Sequence, residues 1–328
     1  MAKIKRKRQG RKISSRHIRY RVRNWRDYDR ALVRRGEITL WFDRCLVKAW
    51  KPPKSNRRGA SRRYSEAVIV CVLTLKAVFH LSNREVEGLV RSLLKLMRVR
   101  LPTPDHTTLS RRAGQLEVPL SPSASREPLQ VLLDSSGVQI MGSSAWREWQ
   151  NARWRQAQSG RQDFRKIHLA LNAESGEIVA VEVTDKFEHD KEQVTPLLAQ
   201  IPGEIDQVIA DGNYDFHSAR EAIEARGARE VIPPRVDAVI NPHVPRPERD
   251  RAIRRIRRLG SRTAWKREAG YHRRNLVETA FSRMKRRLGQ RLSSRKKSRQ
   301  IQEGRIWCCV LNQMAHVGLP KSIAVRAA

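Results

Sequence analysis

Residues 129–141 read LQVLLDSSGVQIM, and two more apolar runs follow at 164–174 (FRKIHLALNAE) and 177–185 (EIVAVEVTD). All three read as strands, and the tight Ser-Gly turn between the last two makes them a hairpin. From there the period alternates. A helix (EQVTPLLAQI), a strand at 206–212 (DQVIADG), a second helix (HSAREAIEARG) and a short strand (REVIPP) come in turn. Meandering strands followed by alternating helices and strands predict a mixed sheet within an α/β layer. Two acids hold telling places in it. Asp134 stands where LQVLL gives way to DSSG, and Asp211 ends VIADG at the carboxyl end of a parallel strand, where α/β sheets place their ligands. A lone strand-terminal Asp is usually a turn former. If the first and fourth of these strands are neighbours, however, their ends bring Asp134 and Asp211 together.

Further along, YHRRNLVETAFSRMKRRLGQR (271–291) carries seven Lys or Arg and one acid, Glu278. Val277, Phe281, Met284 and Leu288 recur at helical spacing and predict a buried stripe. Tyr271, Arg274, Glu278 and Lys285 fall within roughly 60° of one another along its edge, while Arg273, Arg283 and Arg287 point elsewhere. Two readings of Glu278 stand side by side: an intrahelical partner of Arg274 worth a few tenths of a kcal/mol, or a third carboxylate for Asp134 and Asp211. Three clustered carboxylates repel unless a cation joins them. Hard oxygen ligands beside a polyphosphate point to Mg²⁺, with Mn²⁺ able to substitute. Two such ions roughly 4 Å apart suit phosphodiester chemistry.

Charge supports a polyanionic partner. The 328 residues hold 68 Lys and Arg against 33 Asp and Glu, a net charge of +35. Residues 1–63 carry +19, 127–230 carry −7 and 231–300 carry +17. Such an excess predicts nucleic acid as partner, and the acidic centre is what a cation-binding catalytic core needs. The four cysteines (Cys45, Cys71, Cys308, Cys309) have no zinc-ligand spacing and are expected reduced. No secretory signal and no membrane-length apolar run is seen, so a cytoplasmic protein with no membrane partner is expected.

Four regions are expected. The first, 1–63, is a basic arm and segment ending in KPPKSNRRGASRR, read as a linker. The second, 64–117, holds three helices: YSEAVIVCVLTLKAVFH, a helix capped by Ser82 with Glu85 three residues on, and one starting near Asp105. Thr107, Thr108, Arg111 and Arg112 on the third helix suit phosphate and base edges, as in a helix-turn-helix-like DNA-binding region, with a plain helical bundle as the alternative. After a second linker (118–128), the core spans 127–298 with a basic helical segment at 240–270, and 299–328 form a last helix and tail. His168 reads as a sheet-face or core histidine. Ser135 and Ser136 lack the surroundings of a nucleophile. Trp146, Trp149 and Trp154 lie in an Arg/Gln-rich loop, suited equally to stacking on bases and to anchoring the loop.

The spacing of Tyr271, Arg274, Glu278 and Lys285 resembles the Y-R-E-K motif of bacterial insertion-sequence transposases of the DDE superfamily, most closely insertion-sequence family five. The blocks DSSGVQI, FRKIHLALNAESGEI, VIADGNYD, PDHTTLSRRA and YRVRNWRDYDRALVRRGEITLWFD are similar to that group's, in order along nearly the whole chain. The resemblance implies a ribonuclease H-like core with Asp134, Asp211 and Glu278 as catalytic, metal-binding triad, and Tyr271, Arg274 and Lys285 holding DNA. It implies an enzyme that binds the terminal inverted repeats of double-stranded DNA, cuts at each element end and joins the 3′-hydroxyl to target DNA, acting as a homodimer or larger assembly in the bacterial cytoplasm at the nucleoid. Asn213 departs from the Ala common after the Asp-Gly. The 67 residues from Asp211 to Glu278 are mainly basic and helical, so no large β-rich insertion is expected there. The rival readings are a non-catalytic DNA-binding repressor and a metal-dependent nuclease on the same fold.

Overall fold

The computed structural model describes residues 19–52, 62–120, 122, 127–141, 164–243 and 246–325. The extreme N-terminal arm, most of the first linker and the loop bearing Trp146, Trp149 and Trp154 lie outside the described residues. The three apolar runs form strands β2 (Leu129–Ile140), β3 (Phe164–Asn172) and β4 (Ile178–Asp185). The alternating part gives α7 (Val194–Ala199), β5 (Ile205–Ile209), α8 (His217–Glu224) and β6 (Arg229–Val231). The sheet order is β4-β3-β2-β5-β6, with β7 (Arg291–Leu292) pairing the far end of β2. Pairing is antiparallel from β2 to β4 and parallel from β2 through β5 to β6. Three antiparallel strands continued by two parallel ones are the ribonuclease H-like arrangement.

Alternation along β2 sends successive side chains to opposite faces. Val131 and Leu133 pack with Val194, Leu197 and Leu198 of α7 and with Ala219 and Ile223 of α8. Leu132 and Val138 face the opposite layer, formed by α11 (Asn275–Leu288) and α12 (Lys297–Val317). In α11 the expected stripe is buried: Val277, Phe281, Met284 and Leu288 all lie inside. Each such side chain contributes about 1.5–3 kcal/mol. The helix starts later than its sequence suggests. Gly270 adopts φ +70, and Tyr271–Arg274 form a 3-10 turn ahead of the α-helix. Between β6 and that turn stand α9 (Pro247–Leu259) and α10 (Arg262–Glu268), so the basic interval is helical as expected.

The N-terminal helices join the same apolar core. α1 (Trp25–Arg34), α2 (Ile38–Trp41) and α3 (Arg44–Lys48) precede α4 (Glu66–Val78), α5 (Asn83–Leu96) and α6 (His106–Arg112). Ser82 and Glu85 close a reciprocal capping box on α5, and Asp105 caps α6. Buried indoles carry their polar atoms to partners, Trp41 Nε1 to the Arg35 carbonyl (3.0 Å) and Trp50 Nε1 to the Pro102 carbonyl (2.9 Å). Val68, Val72, Val86 and Val90 share one cluster with Leu132, Met284 and Trp307. The second linker is packed at its start: Val118 is buried, and the Leu120 carbonyl accepts from Asn312. One feature lacks any sequence signal. β1 (Arg19–Val22) pairs antiparallel with β8 (Ser322–Val325), tying the first described residues to the last. Among the described residues no single helix is long and apolar enough to cross a membrane.

Candidate active site

Register brings the two aspartates together. The parallel pairing of β2 and β5 runs to Leu132 opposite Ile209, and Asp134 and Asp211 each stand two residues beyond that couple. Asp134 shares its face with Leu132, the face that α11 covers. The Ser135 amide donates to Asp134 Oδ1 at 2.9 Å. Asp211 opens a 3-10 turn and accepts from the Asn213 amide at 2.9 Å and from its side chain at 3.1 Å, so the residue that departs from the resembled pattern clamps the carboxylate. Glu278, in the first turn of α11, supplies the third acid and is half exposed.

One guanidinium joins all three. Arg274 Nη2 lies 3.0 Å from Asp134 Oδ2 and 3.7 Å from Asp211 Oδ2, while Nη1 donates to Glu278 Oε1 at 2.5 Å. Burial pushes the Asp134 carboxyl pKa up, and Arg274 opposes the shift. Burial by itself would lower the Arg274 pKa, but Asp134, Tyr271, Asp211 and Glu278 outweigh it and raise it. The intrahelical pair and the three-acid cluster are therefore both present, through the same Arg274. Among the described residues no group of three His, Cys, Asp or Glu side chains stands arranged as a metal cage, because the arginine sits between the acids. The donor set itself, three hard carboxylates around one cation, fits a divalent ion.

The other members of the row flank this centre. Lys285 reaches back to β2 and donates to Ser136 Oγ at 2.8 Å. Tyr271 is partly buried beneath Lys266, whose Nζ lies 4.8 Å from the ring centre, and burial raises its hydroxyl pKa. On α6 the residues divide. The Thr107 and Thr108 hydroxyls donate to the capping Asp105, and Arg112 donates to the Tyr64 carbonyl at 2.8 Å. Arg111 faces solvent.

Beneath Asp134, on the opposite face of the sheet, lies a polar layer that sequence reading missed. Asp190 accepts from Ser135 Oγ and from Lys166 Nζ, both at 3.0 Å. His168 is fully buried, with Nε2 2.8 Å from Thr184 Oγ1 and an unpartnered Nδ1 3.7 Å from Asp190. Desolvation holds its pKa down at about 4, so the ring is neutral near pH 7. The Tyr214 hydroxyl, also buried without a partner, lies within electrostatic reach of Asp190, Asp134 and Asp211. Asp190 sits just past β4 in KFEHDKEQ, a polar stretch with no period to mark it.

A ribonuclease H-like sheet with two aspartates beside the end of its central parallel pairing, and a glutamate on α11, which covers that face, defines the fold class of the protein. The family is narrower. A profile of the transposase DDE domain matches residues 125–313, and a second transposase DDE domain profile matches 33–143, so the chain belongs to the DDE-domain transposases. Three solved structures are similar at a distance. The piggyBac transposase synaptic complex with hairpin DNA has TM-score 0.38 and 11% identity, over 86% of this chain and 73% of that one. The Mos1 transposase paired-end complex with left transposon end has TM-score 0.22 and 11% identity, over 58% and 65%. The Mos1 strand transfer complex has TM-score 0.21 and 10% identity, over 58% and 64%. Family membership makes the chain an enzyme of the transposase class and implies a divalent metal ion.

Proposed function

We propose that the chain binds the terminal inverted repeats of an insertion sequence of the family-five type, cleaves a strand at each end and transfers it to target DNA. The meeting of Asp134, Asp211 and Glu278 on one cation, beside the end of the β2–β5 pairing, carries this reading. Asp134, Asp211 and Glu278 would hold Mg²⁺ ions, or Mn²⁺ in their place. Bound there, two such ions supply an activated water or hydroxyl and stabilise the leaving oxygen.

The protein's own groups do the rest. The Ser135 amide and the Asn213 side chain fix the two aspartates in orientation. Arg274 neutralises the acids in the resting protein and lies where its guanidinium can also meet the strand's phosphates. Lys285 and Tyr271 hold the strand beside it, completing a Y-R-E-K motif with Arg274 and Glu278. The α4–α6 region reads the repeat, with Thr107 and Arg111 outward on α6. Pairing two element ends requires at least a homodimer, acting in the bacterial nucleoid.

The test separates binding from chemistry. Asp134→Asn and Glu278→Gln remove a ligand and leave the basic surfaces intact. Each is expected to bind the terminal repeat as wild type does and to lose Mg²⁺-dependent cleavage. Full cleavage by either variant would return that acid to a structural role. A wild-type chain that binds the repeat but never cuts would be a repressor.

A further inference from the structure

Arginines buried in this molecule have partners. Arg220 pairs with Asp215 and Glu230, Arg274 with its three acids, and Arg226 donates to three carbonyls. Arg283, on α11, differs from these. It is largely buried, its Nε has no hydrogen-bond partner, and no carboxylate among the described residues pairs with it. It opens into a cavity of about 300 Å³ bounded by Tyr28, Arg35, Arg286, Arg287, Leu311 and Met314. No carboxylate lines this cavity among the described residues.

The walls fix the cations in place. Arg35 lies with its guanidinium carbon 5.6 Å from the centre of the Tyr28 ring and donates to the Met314 carbonyl at 3.1 Å and to the Gly318 carbonyl at the end of α12. Its Nε is left without a partner as well. Burial and then the charge of Arg35 lower the Arg283 pKa, and both arginines line the cavity. Leu311 and Met314 give it an apolar floor, which strengthens attraction to any anion that enters. Clustered like charges of this kind are costly unless an opposite charge joins them. Arginine's planar fork suits phosphate oxygens.

We propose that this cavity is a phosphate-binding site for the DNA backbone, holding a stretch of duplex away from the point of cleavage. Arg283 lies five residues after Glu278, roughly 140° around the helix. One face of α11 thus serves the three acids, and the other grips a separate phosphate. The inference rests on the transposase reading above.

The test is binding of duplex DNA by the full chain across a salt series, for wild type, Arg283→Gln and Arg287→Ala. Arg287 is exposed, so its truncation does not threaten folding, and thermal midpoints check Arg283→Gln. Each phosphate contact contributes a slope of roughly −0.9 to log affinity against log salt. Each variant should flatten the slope by about one, so that its deficit against wild type shrinks about 3-fold between 50 and 200 mM salt. Mg²⁺-dependent cleavage at saturating DNA should persist in both. Unchanged slopes with cleavage intact would overturn the cavity site alone. Stabilisation of wild type by inorganic phosphate without any slope change in the variants would also overturn it, marking a small-anion site. A wild-type chain that neither binds nor cuts DNA would instead sink the transposase reading.

Discussion

Arg274 is where the residue scale is clearest. It compensates three carboxylates at once, so Arg274→Ala leaves them facing one another. The group is only partly exposed, and its loss should cost about 1–3 kcal/mol, below the range for a fully buried pair. A divalent ion would supply the missing charge. Adding Mg²⁺ should therefore raise the melting temperature of Arg274→Ala more than that of wild type, by the linkage of binding to folding. Equal shifts in a thermal melt would deny that the acids take a metal. His168 offers a pH test. Its folded pKa is about 4, while the unfolded ring titrates near 6.5. The unfolded state binds the extra proton between those values, so stability is complete above about 6.5 and falls as pH drops towards 4, by up to about 3 kcal/mol. His168→Gln should flatten that part of the stability curve relative to wild type, and parallel curves would contradict the buried neutral ring. At this scale Asp134 and Asp211 were legible because each follows an apolar strand run, and Glu278 because it is the one acid beside a helical stripe. Asp190 was not, since only packing under β2 brings it to Ser135. The α6 hydroxyls were half legible: Thr107 and Thr108 sit at a helix start, but local bonds to Asp105 take up both hydroxyls.

At the scale of elements, period decides most of the outcome. The apolar run in β2 and the helical stripe in α11 marked those elements in advance, and the register of β2 on β5 then followed from burial on both faces. The start of α11 was misread because Gly270 takes a left-handed turn and the next four residues tighten to a 3-10 helix, while their side chains keep nearly helical spacing. The packing of α12 on the sheet turns on a residue with no side chain. A Cβ on Gly304 would lie 2.9 Å from Val183 Cγ2 and 3.6 Å from Ile167 Cδ1, so this glycine lets the helix approach the strands. Gly304→Val should cost about 1–3 kcal/mol by overpacking. Gly88 in α5 is the control, exposed and with nothing within 4 Å of an added Cβ. Gly88→Ala should stabilise by about 0.5–1 kcal/mol. Denaturant midpoints of the two variants should move in opposite directions, and a neutral Gly304→Val would mean that α12 has room to slide.

For the whole molecule, charge and core follow different plans. The net charge is negative over 127–230, where the sheet and two of its acids lie, and strongly positive on either side. The apolar core ignores that division and runs from Trp41 to Met314. Its continuity was not legible, because the Pro- and Ser-rich stretches that suggest linkers say nothing of what packs beside them. Nor was the β1–β8 pair, four residues a side and rich in polar groups. That pair carries a consequence for how the chain is made. Val22 lies opposite Ser322, 300 positions later, and Asn24 bonds Leu319 and Lys321 beside it. On a ribosome adding roughly 5–20 residues per second, the N-terminal strand waits about 15–60 s for its partner to emerge. Throughout that interval β1 has no strand to pair with. A chain cut short before α12 would keep every strand of the six-stranded sheet and still leave β1 without its partner.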